Sequence, residues 1–223
     1  MVPNLIRGPQ GDAGSFRRRR VAILLFDDVE VLDFAGPFEV FGVSTTLTGE
    51  PAFEVLTISL HPGDVVARND LRIVPTCIAS DLTGADILVV PGGYGTRRLL
   101  HSPAMLNFLR KASGEAELTL SVCTGSLLLA AAGLLRGLSA TTHRGAMDEL
   151  RALESGAEIL PDSRIVDNGG VITSAGVSAG IDAALYIVSR LLGDAEAQAT
   201  ARYMQYDWRC CCVDGETVVR TGA

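Results

Sequence analysis

The 223-residue chain is short of aromatic residues (5%), with one tryptophan and only three histidines. That scarcity leaves little to build a metal centre: His61 and His101 lie in polar loop contexts, and no Cys-x-x-Cys pair occurs near any histidine. No zinc or iron site, and no other cofactor, is expected. The glycine turn "VVPGGYGT" (89–96) lacks the Gly-Lys-Ser or Gly-Lys-Thr that completes a phosphate loop, and it does not match the dinucleotide fingerprint. Positive charge is the minority sign, 19 Lys and Arg against 26 Asp and Glu, for a net charge of -7. Nucleic acid is therefore not expected as a partner, because phosphate binding needs a clustered positive field. No apolar run is long enough to span a bilayer, and residues 1–20 lack the apolar stretch of a secretory signal. With an odd count of five cysteines, this points to a reducing cytoplasm and no membrane partner.

What is present is a large apolar fraction, 48%, and a regular alternation of segment types. Runs rich in Val, Ile, Leu and Thr at 20–26, 53–60, 86–92, 117–123 and 138–143 read as strands covered on both faces. Helical stretches are expected from about Pro37, which suits an opening turn, and at 96–113, 125–135, 145–155, 178–192 and 194–206. Asn-Gly-Gly within 164–176 signals a hairpin, and 65–76 offers a second. The fold class is then α/β, a largely parallel central sheet with helices on both faces. One domain is expected over 20–209, between a disordered leader (1–19) and a C-terminal tail (210–223). The arginine run 17–20 reads as part of a solvated leader, and Cys210, Cys211 and Cys212 as packing or tail residues.

In such sheets ligands gather beyond the carboxyl ends of the strands. Three distinctive sequences fall there. In "SVCTGS" (121–126) an apolar strand ends in Cys123, and Thr124, Gly125 and a helix follow. The first N–H groups of that helix favour thiolate and are expected to lower the thiol pKa. This is the logic of a nucleophile elbow, with a small buried core residue as the plain alternative. The turn at Gly92 and Gly93 supplies backbone donors beside it, and the N–H groups of Gly93 and Thr124 form a candidate oxyanion hole. In "VEVLDFAGPFEVFG" (29–42) Asp33 sits in an apolar context, either as a helix N-cap or as a partly buried carboxyl that trades protons near neutrality. His143 closes "LSATTH" at a further strand end.

Taken together, "ILLFDDVEVLDFAGPFEVF", "DILVVPGGYGT", "SVCTGSLLLAAAGLLRGLSATTH" and "ITSAGVSAGIDAAL" resemble the signatures of the ThiJ/PfpI superfamily. The resemblance covers roughly residues 20–206 and implies a flavodoxin-like fold related to class I glutamine amidotransferase domains. In protease-like members a histidine directly follows the cysteine. Here Thr124 takes that place, and the "LDFAGP" form with Asp33 is similar to isonitrile hydratases and to the amidotransferase-like domains of AraC-type regulators. The resemblance implies hydration of an isocyanide to an N-substituted formamide. Cys123 would be the nucleophile, Asp33 the proton carrier and Thr124 a positioning group. Gly92, Gly93 and His143 would line the site, "SAGVSAG" (174–180) would shape the pocket or an interface, and the chain would form a homodimer acting on a small molecule. The alternatives are a ligand or redox sensor that is no enzyme, or a glyoxalase- or deglycase-like enzyme acting on reactive carbonyls. The helix-turn-helix module of the AraC-type regulators is not expected here, since residues 211–223 carry no basic helix.

Overall fold

The apolar runs become the interior of one large sheet. In the computed structural model, which describes residues 17–153, 156–208 and 218–221, the chain opens with β1 (Arg19–Leu24), α1 (Val31–Val43) and β2 (Phe53–Ser59). Three short strands, β3 (Val65–Val66), β4 (Arg72–Ile73) and β5 (Cys77–Ile78), precede β6 (Ile87–Val90). Two helices, α2 (Thr96–Leu99) and α3 (Pro103–Glu115), lead to β7 (Leu118–Val122) and α4 (Gly125–Ala131). The second half runs through β8 (Ser139–Ala140), α5 (Met147–Leu153), β9 (Glu158–Ile159), β10 (Ile165–Asp167) and β11 (Val171–Ser174). It finishes with α6 (Ala179–Leu192), α7 (Asp194–Tyr203) and β12 (Val218–Arg220).

Eight strands hydrogen-bond in the order β12-β10-β11-β7-β6-β1-β2-β5. Every neighbouring pair is parallel except the β10–β11 hairpin. Helices α1, α6 and α7 pack together, and α4 packs with α2, α3 and α5, so the sheet is sandwiched between two helical layers. Covered on both faces, β6 and β7 are buried at every position, including Thr119 and Ser121, which alternate with apolar residues in β7. The carboxyl ends of β1, β6 and β7 consequently open together at one edge of the sandwich, next to the start of α1.

Several expectations shift in detail. Pro37 lies well inside α1, since the helix already starts at Val31. Lacking an N–H, it removes the helical bond that the carbonyl of Asp33 would otherwise accept. Asp33 is likewise in the first turn and not an N-cap; Glu30 holds that place without a side-chain cap. The stretch 96–113 breaks into two helices because Pro103 disfavours helical geometry at Ser102, whose Oγ instead caps α3 by accepting from the Met105 N–H (3.4 Å). The expected strand at 138–143 contributes only Ser139 and Ala140, paired with β9 outside the main sheet. Thr141 and Thr142 spend their hydroxyls on the carbonyls of Ser163 and Cys123.

The arginine run is not a solvated tail where it is described. Arg19 and Arg20 belong to β1, and Arg17, Arg19 and Arg20 pair with Asp86, Glu117 and Glu54. Val218–Arg220, assigned to the tail, is an edge strand beside β10. Residues 1–16 of the leader and the Cys210, Cys211, Cys212 trio lie outside the described residues.

Candidate active site

Cys123 follows directly on β7 with φ at +57°, a left-handed turn that costs a non-glycine residue roughly 1–2 kcal/mol. The surroundings hold it there. Its N–H is shared between the carbonyls of Ser174 (3.2 Å) and Ala175 (3.1 Å), and its carbonyl accepts from Thr142 Oγ1 (2.9 Å) and Ser126 Oγ (3.1 Å). Gly125 lets α4 start against β6: a Cβ there would lie 2.0 Å from the Val90 carbonyl oxygen. This is the elbow geometry expected from "SVCTGS".

Its electrostatics are the reverse of the expectation. The thiol, on a residue only 5% exposed, is pushed up to about 12, first by burial and next by the negative charge of Asp33. The N–H dipoles of Thr124 and Val177 pull the other way but do not offset desolvation. Cys123 therefore rests as a thiol and needs a base when it reacts.

The base is adjacent. Asp33 is completely buried, and its Oδ2 accepts from the Gly92 N–H at 2.9 Å. Burial raises its pKa to about 7; the Gly92 bond and the Cys123 thiol draw it down, and the charge of Glu30 adds to the rise. Oδ1 has no hydrogen-bond partner among the described residues, so thiol and carboxyl meet as an electrostatic contact, without a formed hydrogen bond. A carboxyl near 7 beside a thiol near 12 is half ionised at neutrality and can both take and return a proton.

Gly92 and Gly93 have different tasks from the oxyanion hole expected of them. The Gly92 N–H is committed to Asp33, and the Gly93 N–H donates to Thr124 Oγ1 at 3.0 Å. The Thr124 hydroxyl in turn donates to the Gly93 carbonyl (3.3 Å). Threonine thus pins the glycine turn to the elbow. A Cβ on Gly92 would fall 2.5 Å from the Thr124 nitrogen and 2.9 Å from Asp33 Oδ2, so only glycine lets these three groups converge. The backbone N–H groups that favour charge on the sulfur are those of Thr124 and Val177.

Val177 was not singled out by sequence reasoning. Its φ of +51° is an outlier for a β-branched residue, and that strained turn aims its N–H at the thiol. The only signal was the small-residue segment "SAGVSAG" following β11, which neighbours β7. His143 reaches the site from the loop after β8; its Nδ1 accepts from the Gly145 N–H (3.1 Å), and its ring packs on Gly176, where a Cβ would meet Cδ2 at 2.4 Å.

Cys123, Thr124, Gly93, His143 and Val177 line a cleft of about 270 Å³, together with Glu30, Arg68, Tyr94 and Arg97. A cavity of about 310 Å³ between Phe26, His61 and Met105 contains none of the reactive residues. Among the described residues no group of three or more His, Cys, Asp or Glu could hold a metal ion, and no helix is long and apolar enough to cross a membrane.

Residues 19–190 match the DJ-1/PfpI family. The chain is 36% identical over 187 residues to an isonitrile hydratase from Pseudomonas putida, across 84% of this chain and 78% of that protein. It is 26% identical over 207 residues to the HTH-type transcriptional regulator GbdR of Pseudomonas aeruginosa, across 92% of this chain but only 53% of the regulator. Among solved structures, a ThiJ/PfpI family protein from Pseudomonas syringae superposes with a TM-score of 0.78 at 29% identity, covering 93% of this chain and 86% of that one. Agreement in sequence and in fold over most of its length leads to one conclusion: the chain belongs to the DJ-1/PfpI family.

Proposed function

We propose that the protein is a cysteine-dependent isonitrile hydratase, adding water to an isocyanide to give an N-substituted formamide. The observation that carries this reading is the buried Asp33 carboxyl, raised to about 7, set against Cys123 in the wall of the cleft. The 36% identity to the Pseudomonas putida isonitrile hydratase supports it. In this reading the ionised Asp33 takes the thiol proton as the sulfur attacks the terminal isocyanide carbon. Oδ1, the oxygen without a partner, carries that proton and delivers it to the same carbon, giving a thioimidate with new S–C and C–H bonds. Water then adds across its C=N bond, the nitrogen taking one proton. Collapse releases the formamide, and the hydroxyl proton returns through Asp33 to sulfur. Thr124 holds the turn that seats the carboxyl, and the Thr124 and Val177 N–H groups stabilise charge on sulfur in the attack and in the collapse.

The enzyme is read as a homodimer acting on a small molecule without a cofactor. The test is direct: purified protein should convert a small isocyanide to its formamide, followed by mass spectrometry, and Cys123→Ala should abolish turnover. Activity surviving that substitution would sink the covalent route. No turnover across a panel of isocyanides, with saturable binding of another metabolite, would favour a ligand sensor, the reading that the similarity to GbdR supports.

A further inference from the structure

The cleft that Cys123 lines is also charged, with Glu30, Arg68 and Arg97 in its wall. Arg68 is carried there by the turn joining β3 and β4, in which Asn69 and Asp70 both adopt left-handed φ (58° and 61°). That turn is tied to the loop after β1: the Arg68 N–H donates to the Val29 carbonyl (3.0 Å), the Asp28 N–H to the Val66 carbonyl (2.8 Å), and the Val66 N–H to Asp27 Oδ1 (2.9 Å). The guanidinium lies 4.8 Å over the ring of Tyr94 and makes one bond to a carboxylate, from Nη1 to Glu30 Oε2 at 2.8 Å. It is thus a preorganised cation with donors to spare on its planar fork.

Of the two charges in that pair the positive one is the more accessible, with the Arg68 side chain 43% exposed and that of Glu30 19%. A second cation, Arg97, lines the same cleft, with its Nη1 3.3 Å from the Gly93 carbonyl and its other donors on Glu149. Val177 is the only aliphatic side chain longer than a methyl in the lining. The lining is mixed, with the Tyr94 ring and Val177 beside the two guanidiniums, and a purely apolar substituent would desolvate a guanidinium without replacing its bonds.

Resting on the hydratase reading, we propose that Arg68 is the specificity-determining residue of this site and that the substrate is an isocyanide whose N-substituent carries a carboxylate. The free donors of the Arg68 fork receive that carboxylate at the mouth of the cleft while the isocyanide carbon reaches Cys123.

The experiment compares isocyanoacetate and 3-isocyanopropanoate with their methyl esters, which keep size and remove charge. The acids should exceed the esters in kcat/KM by about 10- to 100-fold, the range of a charge-assisted hydrogen bond, mainly through KM. Arg68→Met should erase that preference, bringing the acid-to-ester ratio of kcat/KM to about 1. Equal rates for acid and ester in the wild type, or a preference that survives Arg68→Met, would overturn the assignment. If none of the four is hydrated, the hydratase reading fails separately, and calorimetry with N-formylglycine against its methyl ester still reads the charge preference. Binding of the acid that is lost in Arg68→Met supports Arg68 as the anion-recognition residue, and equal or absent binding of the two refutes it.

Discussion

Asp33→Asn keeps the shape of the buried side chain and removes its ionisation, which makes it the sharpest probe of the site. Raised from 3.8 to about 7, chiefly by burial, the carboxyl costs the folded chain about 4 kcal/mol when it ionises. The sign follows from proton counts. Between these two values the folded state holds the proton and the unfolded state has lost it, so stability falls as pH rises. The full contribution is present below about pH 4, is lost progressively up to about pH 7, and is flat above that. Asparagine carries no such dependence, and the other titrating groups are common to both proteins. Urea unfolding of the two proteins from pH 4 to pH 8 should therefore show the variant gaining on the wild type by about 4 kcal/mol across the range. At a urea dependence of about 2 kcal/mol per molar, that is a relative midpoint shift of about 2 M. Any constant offset from the new amide group cancels in the comparison. Stability profiles that run parallel within about 0.5 kcal/mol would refute the claim that Asp33 is a desolvated acid titrating near neutrality. The same substitution should lower isocyanide hydration by about 10²- to 10⁴-fold, the usual contribution of a positioned acid–base group.

Three further outcomes are expected. Because the Cys123 thiol sits near 12, alkylation by iodoacetamide should keep accelerating from pH 7 to pH 10, and a plateau below pH 8 would show a primed thiolate instead. Gly92→Ala places a methyl 2.5 Å from the Thr124 nitrogen, so overpacking should cost about 1–3 kcal/mol in thermal or urea unfolding and misplacement should cost about 100-fold in hydration. Thr124→Val leaves the buried Gly93 N–H without its acceptor, an expected loss of about 1–3 kcal/mol measured by urea unfolding.

The alternation of buried runs and helical stretches was enough to predict the sandwich, because strands covered on both faces are rich in Val, Ile, Leu and Thr without charged positions between them. "SVCTGS" announced the elbow because a glycine is needed at the first residue of α4, where the helix approaches β6, and a Cβ on Gly125 would lie 2.0 Å from the Val90 carbonyl oxygen. The hairpin at 164–176 was legible from its Asn-Gly-Gly turn and appears as β10 and β11. The breaks were harder to read, since the interruption at Ser102 and Pro103 and the short β8 depend on single hydroxyl and proline effects within otherwise regular runs.

The residue types of the site, Cys123, Asp33 and Thr124, were therefore determined by the sequence alone, as was the order of the strand ends that carry them. Only the tertiary structure decided their chemistry. Local sequence shows the helix start beside the thiol, but burial and the Asp33 carboxyl, which arrives from α1 some ninety residues earlier in the chain, reverse the direction of the thiol pKa. The free-looking N–H groups of Gly92 and Gly93 are spent on Asp33 and Thr124, and a strained Val177 supplies a donor instead. Desolvation and hydrogen-bond pairing are properties of what packs around a group, and no stretch of sequence contains its own surroundings.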